Sequence, residues 1–367
     1  MFLGLITAAT AAVYLAPRDP NGGEPHALAT IAPAAPPQAP PAAHPPPASG
    51  IEQGAGDGAI RQTEESSGVK VTRRGEGGTA RIIHVEPPSG VRLTAAPDRR
   101  VSEKGPYGLL PKIGADGARP MDVYARPFVT STTMPPGAPR VALVVGGLGL
   151  NAGSTFEAID QLPEGVTLAF APYGAELDRL ALQARARGHE TLLQIPMEPF
   201  DYPRSSPGPH TLSTASADGG RDDLLWLMSR FTGYAGVMNY LGGRFTADET
   251  AMYGALGEVS QRGLFYLDDG ASPQSRAGGV ARRLGAPFAQ VDVSLEAGDK
   301  IQGLDAALAR LETLAREKGS AIGFVNATPA VITRLARYAR DLERRGVALA
   351  PVSALAARGA GAVQGRK

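Results

Sequence analysis

The sequence predicts an α/β protein, a parallel sheet with helices packed outside it. Two observations carry this. From Arg140 onward, short runs rich in β-branched and apolar residues recur, and segments of helical period separate them. Strand–helix alternation of this kind builds parallel sheets, because each crossover is a helix. The runs are Val141–Val145, Val166–Ala171, Thr191–Ile195, Gly236–Asn239, Gly263–Leu267, Ala289–Val293, Ala321–Val325 and Val347–Val352. Seven or eight such units can close into a (β/α) barrel or stay open and doubly wound, and periodicity leaves both open.

The helical segments carry their own signals. From Ile301 to Lys318, Leu304, Leu308, Leu311 and Ala315 form one apolar stripe, and Gly319 follows as a C-terminal cap residue. A helix is expected to start at Thr246, with Glu249 completing a capping box. Asp222 and Asp223 precede an apolar run, placing carboxylates at a helix N-terminus. Trp226 lies in that run and reads as a core residue.

The first part of the chain is different in kind. Met1 to Pro17 is apolar and carries no charged side chain, at the short edge of the roughly 17–25 residues that span a membrane. It is expected to be an anchor or a signal segment. Residues 18–60 are rich in Pro and Ala and make an extended spacer that cannot bury a core. Residues 61–138 read as a partly ordered arm. Tyr107, Leu109, Leu110, Ile113, Val123 and Tyr124 are too apolar for a free linker, whereas the stretch to about residue 105 reads equally well as disordered. A domain over 139–358 and a disordered tail over 359–367 complete the expected organisation.

Composition removes several functions. The 37 basic and 36 acidic side chains balance, which gives no reason to invoke nucleic acid. There is no cysteine, so disulfides, thiol chemistry and cysteine-ligated zinc are excluded. The run Gly146–Gly153 lacks the spacing and the lysine of a phosphate loop.

In either α/β architecture the functional residues stand at the carboxyl ends of the strands. That rule selects Gly146 and Gly147, Tyr173, Gln194 with Glu198, Asn239 and Tyr240, Asp268 and Asp269, and Asn326. The mouth so formed is expected to be polar and acidic, with aromatic faces for a sugar ring. No histidine falls on it. His189 precedes a strand, at the wrong end for catalysis, and reads as a structural turn residue. His210 follows the third strand in a loop and could turn toward the mouth.

Several segments resemble the divergent polysaccharide deacetylase family, across roughly residues 107–356. PMEP at Pro196–Pro199, GPHTL at Gly208–Leu212, LDDG at Leu267–Gly270 and APVSAL at Ala350–Leu355 fit its pattern. The resemblance implies a distorted (β/α)7–8 barrel. It also implies where metal ligands would stand, and those positions differ. Gly146 and Gly147 stand where the family's first motif has one or two aspartates. Gln194 and Tyr240 stand at histidine positions, and Val325, Asn326 and Ala327 replace Gly-His-Pro. A bound metal lowers the pKa of water from about 15.7 to about 7, worth roughly 12 kcal/mol in making hydroxide. A lone carboxylate base supplies about 3–5 kcal/mol.

Three functional classes follow. The first is a glycan-binding member of the fold that has lost hydrolysis and needs no cofactor, held at the periplasmic face of the envelope by its N-terminus. In it Tyr173, Gln194, Asn239, Tyr240 and Asn326 contact the polysaccharide or amino-sugar ligand, beside the acidic residues Asp268, Asp269 and Glu198. The second is an active carbohydrate deacetylase using a divalent metal ion. The third is a glycosidase with Glu198 and Asp268 as its carboxylate pair. Restoring the triad (Gly146→Asp, Gln194→His, Tyr240→His) is expected to raise metal affinity.

Overall fold

A computed structural model describes residues 91–129, 134–216, 220–296 and 301–356. The anchor or signal at 1–17, the linker at 18–60, the arm up to residue 90 and the tail at 359–367 lie outside the described residues. No helix among the described residues is long and apolar enough to cross a membrane.

The main sheet contains β3 (Arg140–Leu148), β4 (Thr167–Phe170), β5 (Thr191–Met197), β6 (Gly236–Leu241), β7 (Phe265–Asp268), β8 (Phe288–Gln290), β9 (Val293–Ser294), β10 (Ser320–Asn326) and β11 (Ala348–Leu349). Its order is β8-β7-β6-β5-β4-β3-β10-β9, with β11 added on β3, and every pairing is parallel. The single run expected over Ala289–Val293 is broken into β8 and β9, and the break explains the architecture. β8 and β9 lie at opposite edges of the order, yet only Val291 and Asp292 separate them in the chain. Val291 N–H donates to Asp268 O on β7 (2.9 Å), and Asp292 N–H donates to Ile322 O on β10 (2.9 Å). The edges are thereby brought together, and the sheet curls into a distorted (β/α) barrel.

Strand parity divides the core in two. Ala142, Val144, Leu192, Met238, Phe265, Leu267, Ile322 and Phe324 fill the inside of the curl. Val141, Leu143, Val145, Leu168, Leu193, Val237, Tyr266 and Val325 pack outward under the helices. Burial on both faces explains why the strands read as continuous apolar runs. Val101, Met121 and Tyr124 from the arm, with Val352, join the inner cluster. Met121 N–H donates to Gly263 O just before β7 (3.0 Å), so the arm sits at the N-terminal ends of the strands. A short antiparallel hairpin of β1 (Ser102–Lys104) and β2 (Leu109–Pro111) belongs to it. Arg185 donates to the carbonyls of Tyr124, Gly233 and Thr94, and burial brings its guanidinium down to about 10.

The helices are α1 (Pro120–Val123), α2 (Ala152–Gln161), α3 (Leu177–Ala186), α4 (Arg221–Met228), α5 (Gly243–Ala247), α6 (Glu249–Gln261), α7 (Ala277–Leu284), α8 (Ile301–Lys318) and α9 (Pro329–Asp341). The stripe of Leu304, Leu308, Leu311 and Ala315 on α8 is buried, and Gly319 after it has φ +83°. The capping expected at Thr246 falls elsewhere. Thr246 closes the short α5 by donating its hydroxyl to Gly242 O (2.8 Å), and Asp248 caps α6 by accepting from Ala251 N (2.9 Å). Asp is the better cap there because its side chain reaches an orphan N–H of the first turn.

Candidate functional site

At the carboxyl ends of the strands lies a cleft of about 620 Å³. Tyr173, Gln194, Tyr240 and Asn326 line it, together with Gly147, Leu150, Asn151, Ala171, Pro172 and Pro196. Ser206, Pro207 and Gly208 form one wall, and Ala327 completes the lining. The mouth expected to be acidic has no charged lining residue: Glu198, Asp268 and Asp269 are held in turns, and Glu296 meets the lining only through Asn326.

Gln194 stands at the floor and is only 2% exposed. Its Oε1 accepts the N–H of Gly147 at 2.7 Å. Its Nε2 is buried with no hydrogen-bond partner. Gly147 has φ +72° and lies in a register shift between Val145 and Leu148, where β3 bulges away from β4. The bulge takes its N–H out of the ladder, and Gln194 supplies the acceptor. Asn326 closes β10 and donates from both N and Nδ2 to Glu296 Oε1 (2.6 and 2.9 Å).

The aromatic members differ in freedom. Tyr173 donates its hydroxyl to Pro209 O at 2.6 Å, and burial, with Asp223 nearby, pushes the phenol well up. A Cβ on Gly208 would lie 2.6 Å from the Tyr173 ring, so the wall rests directly on that ring. Tyr240 is 39% exposed and free to meet a ligand.

Five residues selected from the sequence, Gly146, Glu198, Asn239, Asp268 and Asp269, do not line the cleft. Asp268 has helix-facing parity: its Oδ1 accepts from Gly270 N (2.8 Å) and its Oδ2 from Ser275 Oγ (2.5 Å). Asp269 accepts from Ala271 N (2.9 Å), and burial raises its carboxyl. Asn239 is buried, donating to Leu241 O (2.8 Å) and accepting from Asp269 N (2.9 Å). Glu198 Oε2 accepts from Ser213 Oγ, Thr214 N and Thr214 Oγ1 at 2.9, 2.8 and 3.0 Å. Burial works against its charge, but these bonds and Arg244 outweigh it and hold the carboxyl below its ordinary value. Glu198 thus ties the loop after β5 back onto the strand.

The histidines also find fixed places. His189 is buried, with Nδ1 and Nε2 at 3.0 and 3.2 Å from the carbonyl oxygens of Val166 and Ile159. His210 has φ +58°, and its Nδ1 meets Asp223 Oδ1 at 2.8 Å. Its ring stacks on Trp226 at 3.9 Å, so Trp226 is only partly a core residue and its indole supports the loop. Asn151, Leu150 and the Ser206–Gly208 wall were not legible as lining residues. Asn151 carries a signal all the same, since an Asn before a helix is an N-cap, and it accepts from Ser154 N at 3.0 Å.

A transition-metal ion does not fit these residues. Among the described residues no group of three or more His, Asp or Glu side chains is placed to hold one. At the floor, the one oxygen of Gln194 is already engaged by Gly147, leaving an N–H donor that repels a cation.

Comparison with known proteins agrees with this frame. The crystal structure of an uncharacterised protein, ATU2773, from Agrobacterium tumefaciens C58 is 44% identical with a TM-score of 0.65, covering 68% of this chain and 99% of that one. An uncharacterised protein of Haemophilus influenzae is 23% identical over 203 residues, 55% of this chain and 72% of that protein. The uncharacterised protein YibQ of Escherichia coli K12 is 22% identical over 225 residues, 60% and 69% of the two lengths. The family model described as divergent polysaccharide deacetylase matches residues 143–356. That match spans more than half of the chain, and the protein belongs to the divergent polysaccharide deacetylase family.

Proposed function

We propose that the protein binds a glycan in this cleft and does not hydrolyse it. The observation that carries the reading is the lining of the cleft, which is uncharged and offers Tyr240 as an open aromatic face beside amide groups. Sugars are recognised by this combination of a stacking ring and neutral hydrogen-bonding groups. The two hydrolytic alternatives need a metal-bound water or a pair of carboxyls facing one bond. Glu198 and Asp268 are each consumed in a turn, which argues against the glycosidase alternative. Membership in a deacetylase family makes carbohydrate the natural ligand class. A place at the periplasmic face of the envelope is part of the proposal and rests on the apolar Met1–Pro17 segment and the Pro-rich stretch after it.

The test is isothermal titration of the full chain with neutral and amino-sugar oligosaccharides, for the wild type and for Tyr240→Ala. Alanine is expected to weaken binding at least about tenfold, the scale of a lost sugar–aromatic contact. Equal affinity in the two proteins would remove Tyr240 from the site.

A further inference from the structure

We infer that the carboxamide of Gln194 replaces a metal ion at the floor of the cleft, cross-linking β3 to β5 and closing the position to both an ion and a carboxylate ligand. This inference is independent of which ligand the cleft takes. Within it Gln194 acts as a positioning residue through its bond to Gly147.

The cross-link follows from the bulge in β3. The N–H of Gly147 has left the β3–β4 ladder and would be an orphan donor at a half-buried place on the cleft floor. Gln194 Oε1 accepts it at 2.7 Å. Only the oxygen of a carboxamide can accept, so this one bond also decides which way the amide faces. Nε2 must therefore point away from Gly147, and it lies beside Gly146.

Two separate effects then exclude a metal centre. The first is steric. A Cβ on Gly146 would lie 2.7 Å from Phe324 Cε2 and 2.9 Å from Gln194 Nε2, so no side chain fits at 146 while both neighbours stay. An aspartate at position 146 has no room, and at 147 the φ of +72° strains any residue but glycine. The second effect is electrostatic. A cation at the floor would meet the positive end of an N–H bond, and the available oxygen is committed to Gly147. The three positions are interlocked: Phe324 fills the space that Gly146 leaves, and Gln194 spans the bulge. On this inference the gain of metal affinity expected from Gly146→Asp, Gln194→His and Tyr240→His is limited, because that triple variant still carries the Phe324 ring against position 146.

Hydrogen exchange of the full chain, followed by mass spectrometry over the peptide containing Gly147, tests the cross-link. Gln194→Met keeps the length but removes the acceptor, and exchange there is expected to accelerate at least tenfold with a Tm fall of about 3–8 °C. Gln194→Glu keeps an acceptor and is expected to exchange as slowly as wild type. Wild-type exchange in Gln194→Met, or fast exchange in Gln194→Glu, overturns the cross-link. Zinc titration tests the exclusion. The triple variant is expected to bind at least tenfold more weakly than the same variant carrying Phe324→Ala. Zinc binding by the wild type, equal or tighter binding by the triple variant, or no binding once Phe324 is removed overturns it. If a multiple variant fails to fold, the wild-type titration and the exchange comparison still decide.

Discussion

Asn239 reaches from the end of β6 to the end of β7 and accepts the N–H of Asp269 at 2.9 Å, while its own Nδ2 donates to Leu241 O at 2.8 Å. One buried amide thus holds two strand ends in register. Asn239→Ala leaves a donor and an acceptor without partners, which costs about 2–4 kcal/mol. Thermal unfolding is expected to show a Tm lower by about 5–10 °C. An unchanged Tm would mean that water satisfies both groups.

The bond from Asn239 also holds Leu241 in an unusual state. Leu241 has φ +58° and is 41% exposed, so an apolar side chain is shown to solvent from a strained backbone. Leu241→Gly removes the strain, since glycine adopts positive φ without cost. The variant is expected to be as stable as wild type or up to about 1 kcal/mol more stable. Chemical denaturation checks this. A clear loss of stability would show that the backbone strain at Leu241 is outweighed by what its side chain contributes.

Tyr173 supports the opposite wall. Tyr173→Phe keeps the ring under Gly208 but loses the bond to Pro209 O. Affinity is expected to fall several-fold through a looser wall, with a stability loss near 1 kcal/mol, the ordinary value of one hydrogen bond. A drop as large as that of Tyr240→Ala would instead place the hydroxyl on the ligand.

Acid should release the loop that Glu198 ties down. Its folded carboxyl lies below the ordinary 4.5, so the folded state binds the proton less readily than the unfolded state. The stabilisation is therefore complete above about pH 4.5 and is lost as pH falls through the lower folded value. Glu198→Gln is expected to be less stable than wild type near neutrality, with the gap closing below pH 4.5. Denaturation midpoints measured from pH 3 to pH 7 check this. A gap that persists at pH 3 would assign the loss to packing.

The alternation of strands and helices was legible because burial on both faces leaves uninterrupted apolar runs, and because Gly319 and the stripe on α8 mark a helix plainly. The seam at Val291–Asp292 was not, since two residues that cross between sheet edges look like any others in a strand. The strand-end rule located the cleft but did not say which side chains would enter it. Parity explains part of this, as Asp268 follows outward-facing Tyr266 while Gln194 follows inward-facing Leu192. The loop after β5 explains more. Glu198 reads as an acid in the sequence, and only the return of Ser213 and Thr214 to meet it shows a carboxylate built into a turn. The role of Gln194 was hidden for a similar reason, because the bulge that frees Gly147 N–H leaves no mark beyond a pair of glycines.

Metal content of the full-length protein, purified without chelator or a histidine tag and then equilibrated with zinc, tests the central claim most directly. The expected result is less than about one-tenth of a zinc ion per chain, since no donor set at the floor can compete with water for the ion. One zinc per chain that is lost on Gln194→Met would contradict the account and return a metal-dependent deacetylase to first place.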